Sequence, residues 1–269
     1  MCELFGFSGD REQGLSHWLT PFRSRGGGNA DNPDGWGVAA WHGDIATLVK
    51  SAEPGFSSER FARLASELRT RLAIAHVRKA RHPPVPGMLN THPFIHACCN
   101  REWVFAHNGM VPEVIEWQTT GPLCQPDGET DSEYAFCHLL TEIAEGYENT
   151  SRSAWIDRLA RLSEKISTLG KFNFLLSDGH ELIAYGHDRL HQLDIDDEFG
   201  RRVIVATEPL TDDPWRPFSP GELRVYRDGN PIVRLGGNAL VSQSPTDPEK
   251  EVSMEACVGP IDVKRSGRN

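Results

Sequence analysis

No run of apolar residues in this 269-residue chain approaches the length a membrane helix requires, roughly 18 to 20 residues. The amino terminus, MCELFGFSGDREQG, lacks the basic start and apolar stretch of a secretory signal. Without an export signal the expected address is the cytoplasm. The six cysteines (Cys2, Cys98, Cys99, Cys124, Cys137 and Cys257) are then expected to be mostly reduced thiols. Positive charge is also scarce, with 28 Lys and Arg against 38 Asp and Glu and a formal net charge of -10. That balance argues against a general affinity for nucleic acid or anionic lipid and favours a small-molecule or protein partner. There is no internal repeat and no paired C-x-x-C motif. What remains, 38% hydrophobic and 25% charged residues, is an ordinary globular composition long enough to bury its own core.

Extended segments dominate the first third. Glu3 to Ser8 reads as a strand, and Gly35 to His42 with Ile45 to Lys50 reads as a hairpin turning at Gly43-Asp44. Ser16 to Pro33, with its RSRGGGNADNPDG stretch, reads as a loop. Phe61, Leu64, Leu68 and Leu72 recur at helical spacing, which predicts a helix over Ser58 to Arg71 followed by a strand from Leu72 to Val77. A long irregular region, Arg78 to Glu102, carries prolines at 83, 84, 86 and 93, and Trp103 to His107 is expected as a strand ending on His107-Asn108-Gly109. Thr130 and Glu133 fit a capping box opening a helix, and Trp155 to Leu169 forms a second amphipathic helix. Five strands are expected beyond it: Phe172 to Ser177, Glu181 to Tyr185, Arg202 to Thr207, Glu222 to Tyr226 and Pro231 to Leu235. Strands, two helices, then strands is an α+β order, with antiparallel sheets and helices layered outside. The expected domain covers residues 2–235, and the polar residues 236–269 form a tail.

Five residues carry chemistry. A cysteine directly after the initiator Met becomes the terminal residue once Met1 is removed, so Cys2 would offer a thiol and an α-amine together. The amine, with a reference pKa of about 7.7 to 8, is a base suited to that thiol. Position alone would equally suit a chance terminal cysteine. The Asn108 amide and the Gly109 N–H offer donors to a developing oxyanion, although Asn-Gly is also an ordinary hairpin turn. Arg78, after a strand, can pair with a carboxylate, or simply sit at the surface. Asp131, in the first turn of a helix, can receive an ammonium group, or serve the helix dipole alone.

Together these pieces resemble a family. Met1-Cys2 with Gly6, Ala75-His76-Val77-Arg78-Lys79-Ala80, His107-Asn108-Gly109 and Glu129-Thr130-Asp131-Ser132-Glu133 follow the order seen in the glutaminase domain of class II glutamine amidotransferases. Asp34-Gly35-Trp36-Gly37 and Asn90-Thr91-His92-Pro93-Phe94 bring the match closer to the stand-alone, YafJ-like branch. The resemblance implies an N-terminal-nucleophile hydrolase fold, a four-layer αββα sandwich of two antiparallel sheets. It implies hydrolysis of the glutamine γ-amide through a Cys2 thioester, with Arg78 on the α-carboxylate, Asp131 on the α-ammonium, and Asn108 with Gly109 on the oxyanion. No cofactor or metal is implied. Arg81 departs from the small hydroxyl residue that the larger synthases carry there. No second, ammonia-using domain is recognisable. The acceptor is therefore open: free ammonia release, a separate ammonia-accepting protein, or a γ-glutamyl substrate other than glutamine, as in the similar hydrolase of ergothioneine synthesis.

The rival from another class is a metal site built from His92, His96, Cys98 and Cys99, which have ligand chemistry but no recognised zinc spacing. A purely structural or binding role is the remaining alternative.

Overall fold

The first strand faces apolar neighbours on both sides, and the layers follow from that. Along β1 (Glu3–Gly14), Phe5 and Phe7 join Trp18, Leu19 and Phe22 on one face. Leu4 joins Val104, Leu175 and Leu182 on the other. The computed structural model describes residues 2–81, 83–84, 87–117, 124–147 and 152–236. After β1 come α1 (Ser16–Ser24), β2 (Trp36–His42), β3 (Ile45–Ser51), α2 (Glu59–Glu67), β4 (Arg69–Val77), β5 (Phe94–Cys98) and β6 (Arg101–Met110). A short 3-10 turn at Pro112–Glu116 precedes α3 (Asp131–Tyr147) and α4 (Arg152–Ser167). The chain then runs through β7 (Lys171–Ser177), β8 (Leu182–Gly186), β9 (His191–Asp197), β10 (Gly200–Ala206), β11 (Arg216–Pro217), β12 (Glu222–Arg227) and β13 (Asn230–Leu235).

These strands form two antiparallel sheets, ordered β11-β9-β10-β1-β4-β2-β3 and β13-β12-β8-β7-β6-β5. Helices α1 and α2 cover the first sheet through Trp18, Phe22, Phe61 and Ala65. Helices α3 and α4 cover the second through Phe136, Leu140, Ile156 and Leu159. Leu4, Ile74, Val104, Ala106, Leu175 and Val205 fill the space between the sheets. The result is the expected α+β, four-layer αββα sandwich. No helix among the described residues is long and apolar enough to cross a membrane.

Several local expectations need correction. The stretch expected as a loop from Ser16 to Pro33 begins with α1, whose Trp18, Leu19 and Phe22 share one buried face. The glycines and Pro21 masked that helical spacing. Strand β1 runs on past Ser8 to Gly14, with a register shift between Ser8 and Gln13. Helix α2 stops at Glu67, because Leu68 turns extended and β4 begins at Arg69 rather than Leu72. The region expected to be irregular holds β5, paired with β6 from Phe94↔Phe105 to Cys98↔Arg101. Strand β6 continues to Met110, so Asn108 and Gly109 lie inside a paired strand opposite Asn173 and Phe172. The hairpin-turn reading of Asn108-Gly109 is thereby excluded. Strand β9, with exposed acidic residues breaking its alternation, was not anticipated.

The capping box is half right. Thr130 Oγ1 accepts the Glu133 N–H at 3.2 Å, whereas the Glu133 carboxylate accepts from the N–H groups of Asp127 and Gly128. The expectation of reduced thiols fails for one pair. Cys137 on α3 faces Cys124 with Cα atoms 5.1 Å apart, and the two form a disulfide, a separation that suits such a bridge. Cys2 lies outside any disulfide. Cys257 and the expected tail beyond Gly236 lie outside the described residues.

Three imidazoles are buried near one end of the sandwich. His76 Nε2 lies 3.2 Å from the His107 carbonyl, and His107 Nε2 lies 3.1 Å from the Lys171 carbonyl. A carbonyl only accepts, so each Nε2 carries the proton. His107 Nδ1 is left to accept from the Ser132 hydroxyl at 2.8 Å. His92 stacks on His76 with ring centres 4.3 Å apart. Burial pushes all three below the ordinary histidine value, His76 to about 3.

Two expectations follow from this core. Phe105 stacks on Phe136 with centroids 5.0 Å apart and is fully buried. Phe105→Ala is therefore expected to cost about 3–5 kcal/mol, read as a lower urea midpoint. The histidines set the acid response. Above about pH 6.5 the rings are neutral in both states. Between there and about 3, the unfolded chain takes up a proton that native His76 refuses. Stability is thus expected to fall on acidification through that window, by up to about 1.4 kcal/mol per pH unit for the one ring. Urea unfolding at pH 7.5 and 5.5 should show the loss, and His76→Gln should reduce the slope.

Candidate active site

One end of the sandwich gathers the start of β1, the end of β4, the end of β6, the start of α3 and the first residue of β7. Between them lies a cleft of about 670 Å³ lined by Cys2, Arg78, Asn108, Gly109 and Asp131. All five residues singled out in the sequence thus meet in one place. Arg81, the departure from the synthase pattern, lines the same cleft, as does His92.

The β1–β4 ladder delivers the first group. Glu3 pairs with Val77, so the chain leaving β4 passes beside Cys2. The Lys79 N–H points at Cys2 Sγ at 3.2 Å, and the Lys79 carbonyl lies 3.5 Å from the same sulfur. The half-buried thiol has its pKa raised by loss of hydration, against which the Lys79 N–H and the Arg78 charge act. Asp34-Gly35 braces this segment from the side. Gly35 O accepts the Arg78 N–H at 2.8 Å, the Arg78 carbonyl accepts the Asp34 N–H at 3.0 Å, and Asp34 Oδ2 accepts the Ala80 N–H at 2.8 Å. Gly35 has φ 135°, and a Cβ there would meet Thr91 Oγ1 at 2.9 Å, so a side chain is excluded twice over. The Arg78 guanidinium, itself buried, also reaches the Pro83 carbonyl at 3.4 Å.

Strand β6 brings the second group. Asn108 is buried, its side-chain amide nitrogen 3.2 Å from Thr207 Oγ1 and its backbone carbonyl accepting from Asn173 Nδ2 at 3.1 Å. Next to it, a Cβ on Gly109 would fall 1.7 Å from the Lys171 carbonyl oxygen. Asp131, at the start of α3, is also buried. Its Oδ2 accepts the Val111 N–H at 2.6 Å and its Oδ1 the Ser132 N–H at 2.9 Å. Carboxylate oxygens keep further lone pairs beyond these bonds.

Sequence reasoning missed the supporting residues. Thr207 and Asn173 belong to no spacing pattern, and only their burial marks them, whereas Ser132 stands in the Glu129–Glu133 motif without a role having been read for it. The metal-site rival does not assemble. His96 Nε2 faces Glu133 at 3.2 Å, Cys98 and Cys99 face each other, and His92 stacks on His76. Among the described residues the group with donor atoms close enough to hold an ion is His96, Cys124 and Cys137, within 4.8 Å of one another. Its two sulfurs are joined to each other instead.

The chain is similar to the "Putative glutamine amidotransferase YafJ" of Escherichia coli, 32% identical over 259 residues, covering 87% of this chain and all of the relative. A gamma-glutamyl-hercynylcysteine sulfoxide hydrolase of Mycolicibacterium smegmatis is 27% identical over 208 residues, 75% of this chain and 81% of that one. The crystal structure of a predicted glutamine amidotransferase from Pseudomonas aeruginosa superposes with a TM-score of 0.64 at 28% identity, over 86% of this chain and 100% of that chain. The family described as "Glutamine amidotransferases class-II" matches residues 1–201 and 194–251. On that match, and on the two-sheet fold with its cleft, the chain belongs to the class II glutamine amidotransferases.

Proposed function

We propose that the chain hydrolyses the γ-amide of glutamine to glutamate and ammonia, with Cys2 as its amino-terminal nucleophile. The convergence of Cys2, Arg78, Asn108, Gly109 and Asp131 on a single cleft supports this reading most strongly. Burial keeps the Cys2 thiol protonated at rest, so a base is needed at the moment of attack. The Cys2 α-amine, freed by removal of Met1, is that base.

The Cys2 sulfur adds to the γ-carbonyl while its proton passes to the amine. The resulting oxyanion is met by Asn108 Nδ2 and the Gly109 N–H. Collapse returns the proton to the leaving nitrogen, expels ammonia and leaves a γ-glutamyl thioester. Water, deprotonated by the same amine, then releases glutamate and restores the thiol. Arg78 holds the α-carboxylate and Asp131 the α-ammonium throughout. Residues 2–235 act as the catalytic domain of a stand-alone, YafJ-like enzyme, and a separate protein is the candidate acceptor of its ammonia.

A second reading keeps the same residues and changes the leaving group. A γ-glutamyl conjugate would present the same head group to Arg78 and Asp131. The M. smegmatis hydrolase named above, similar over 75% of this chain, favours it. The cleft volume of about 670 Å³ also lies within the range of sites that take drug-sized ligands, roughly 300–1,000 Å³. A kinetic comparison of glutamine with γ-glutamyl peptides separates the two.

Active enzyme is expected to have lost Met1 in an intact-mass measurement, and Cys2→Ala to abolish turnover with the fold intact. Full activity with Met1 quantitatively retained would sink the mechanism. Asn108→Ala is expected to lower kcat by about a hundredfold or more with little change in KM, because its contact strengthens in the transition state. Arg78→Lys and Asp131→Asn should mainly raise KM, because they hold groups charged in both states. Steady-state kinetics showing the two effects exchanged would contradict the assigned roles.

A further inference from the structure

The side chain that joins the nucleophile's strand to the oxyanion amide belongs to neither motif. Thr207 follows β10 directly, and the pairing Phe5↔Ala206 sets it opposite Leu4. Its N–H donates to the Leu4 carbonyl at 3.1 Å, and its Oγ1 accepts the Leu4 N–H at 2.9 Å. The same oxygen lies 3.2 Å from Asn108 Nδ2, across the gap between the two sheets. Thr207 and Asn108 are both almost wholly buried, at 0% and 1% exposure.

A hydroxyl oxygen offers two acceptor positions, and here both are taken, one by each sheet. That has a consequence for Asn108. A side-chain amide turned by half a revolution exchanges its donor for its acceptor. Facing a developing oxyanion, the exchanged amide would repel the charge it should receive. With the Leu4 N–H on one lone pair, the other receives the NH₂ end of Asn108, which leaves the Thr207 O–H hydrogen turned away from that amide. One of that nitrogen's two hydrogens is thereby engaged and the second stays available.

We propose that Thr207 is a positioning residue for the oxyanion site: by accepting from Asn108 Nδ2 its hydroxyl holds the amide in the orientation in which Asn108 can donate, and ties that amide to the strand that follows Cys2. The inference rests on the assignment of Asn108 to the oxyanion, and it adds a residue that no motif marks.

The test is a double-mutant cycle with glutamine, or with whichever γ-glutamyl compound the wild type hydrolyses. Thr207→Val keeps the side-chain shape and removes the hydroxyl. It is expected to lower kcat by about tenfold or more with KM within about twofold, since the lost contact acts in the transition state. Thr207→Ser should recover most of the loss. Because Thr207 acts through Asn108, the Asn108→Ala/Thr207→Val double variant should be no slower than Asn108→Ala alone. Alkylation of Cys2 by iodoacetamide forms no oxyanion and should proceed in Thr207→Val at the wild-type rate. If Thr207→Val does not fold, Thr207→Ala is read in the same way.

Additive losses in the cycle would overturn the inference and leave the oxyanion assignment standing. Alkylation slowed in proportion to kcat would also overturn it, because the hydroxyl would then serve the Cys2 strand alone. A harmless Asn108→Ala would remove the assignment and the inference together.

Discussion

Strand β1 has no free edge. It lies in the middle of a seven-stranded sheet, bonded to β10 on one side and β4 on the other. Chain termini are ordinarily the loosest part of a domain, but this one starts beside a central strand. Cys2 therefore stands where the ladder ends, beside Lys79. The β4 pairing carries Arg78 and Lys79 past the sulfur, and the β10 pairing carries Thr207 to Leu4. Each half of the cleft inherits its position from that one strand. The partner on the β10 side lies about two hundred residues away in sequence, so the site is assembled only when the two ends of the domain close on each other.

The interior behind the cleft is kept nearly free of net charge. His76, His92 and His107 are held neutral by burial, and the Cys2 thiol is held un-ionised for the same reason. Loss of water weakens each group's own ionisation while strengthening the remaining interactions between charges and dipoles. Among the buried residues that line the cleft, Arg78 and Asp131 are the charged ones. Backbone carbonyl and N–H groups meet them. Burying a charge is costly unless it is well bonded, and each of these two has such bonds.

The sandwich and its site were legible in the sequence to different depths. Alternating apolar residues gave the hairpin of β2 and β3 and the strands β7 and β12, because each has a face that must be dry. Helix α1 was lost because its glycine-rich neighbourhood outweighed a buried face of only three residues. Strand β9 was lost because solvent on one side let acidic residues break its pattern. Among cleft residues, those picked out from the sequence stand beside a strand end or a helix start, where local sequence signals exist. Thr207 and Asn173 act through tertiary pairing alone, Leu4 with Thr207 and Asn108 with Asn173. Separations of 203 and 65 residues leave no local trace of such contacts. The Cys124–Cys137 bond was missed on an argument from compartment, which says nothing about which cysteines the fold brings together.

Gly109 shows why a motif and a site must be argued separately. Its neighbour across the ladder, Lys171, presents a carbonyl oxygen 1.7 Å from where a Cβ would stand. The closeness of β6 to β7 would demand glycine here even if no oxyanion ever formed. Its presence in His107-Asn108-Gly109 is therefore weak support for catalysis. Asn108 is different, because packing alone would be served better by an apolar residue at a position only 1% exposed. Its amide instead donates to Thr207 Oγ1, at a position that lines the cleft. On the proposed reading, an amide held by a residue from the opposite sheet would supply electrostatic preorganisation, a dipole aimed before charge develops.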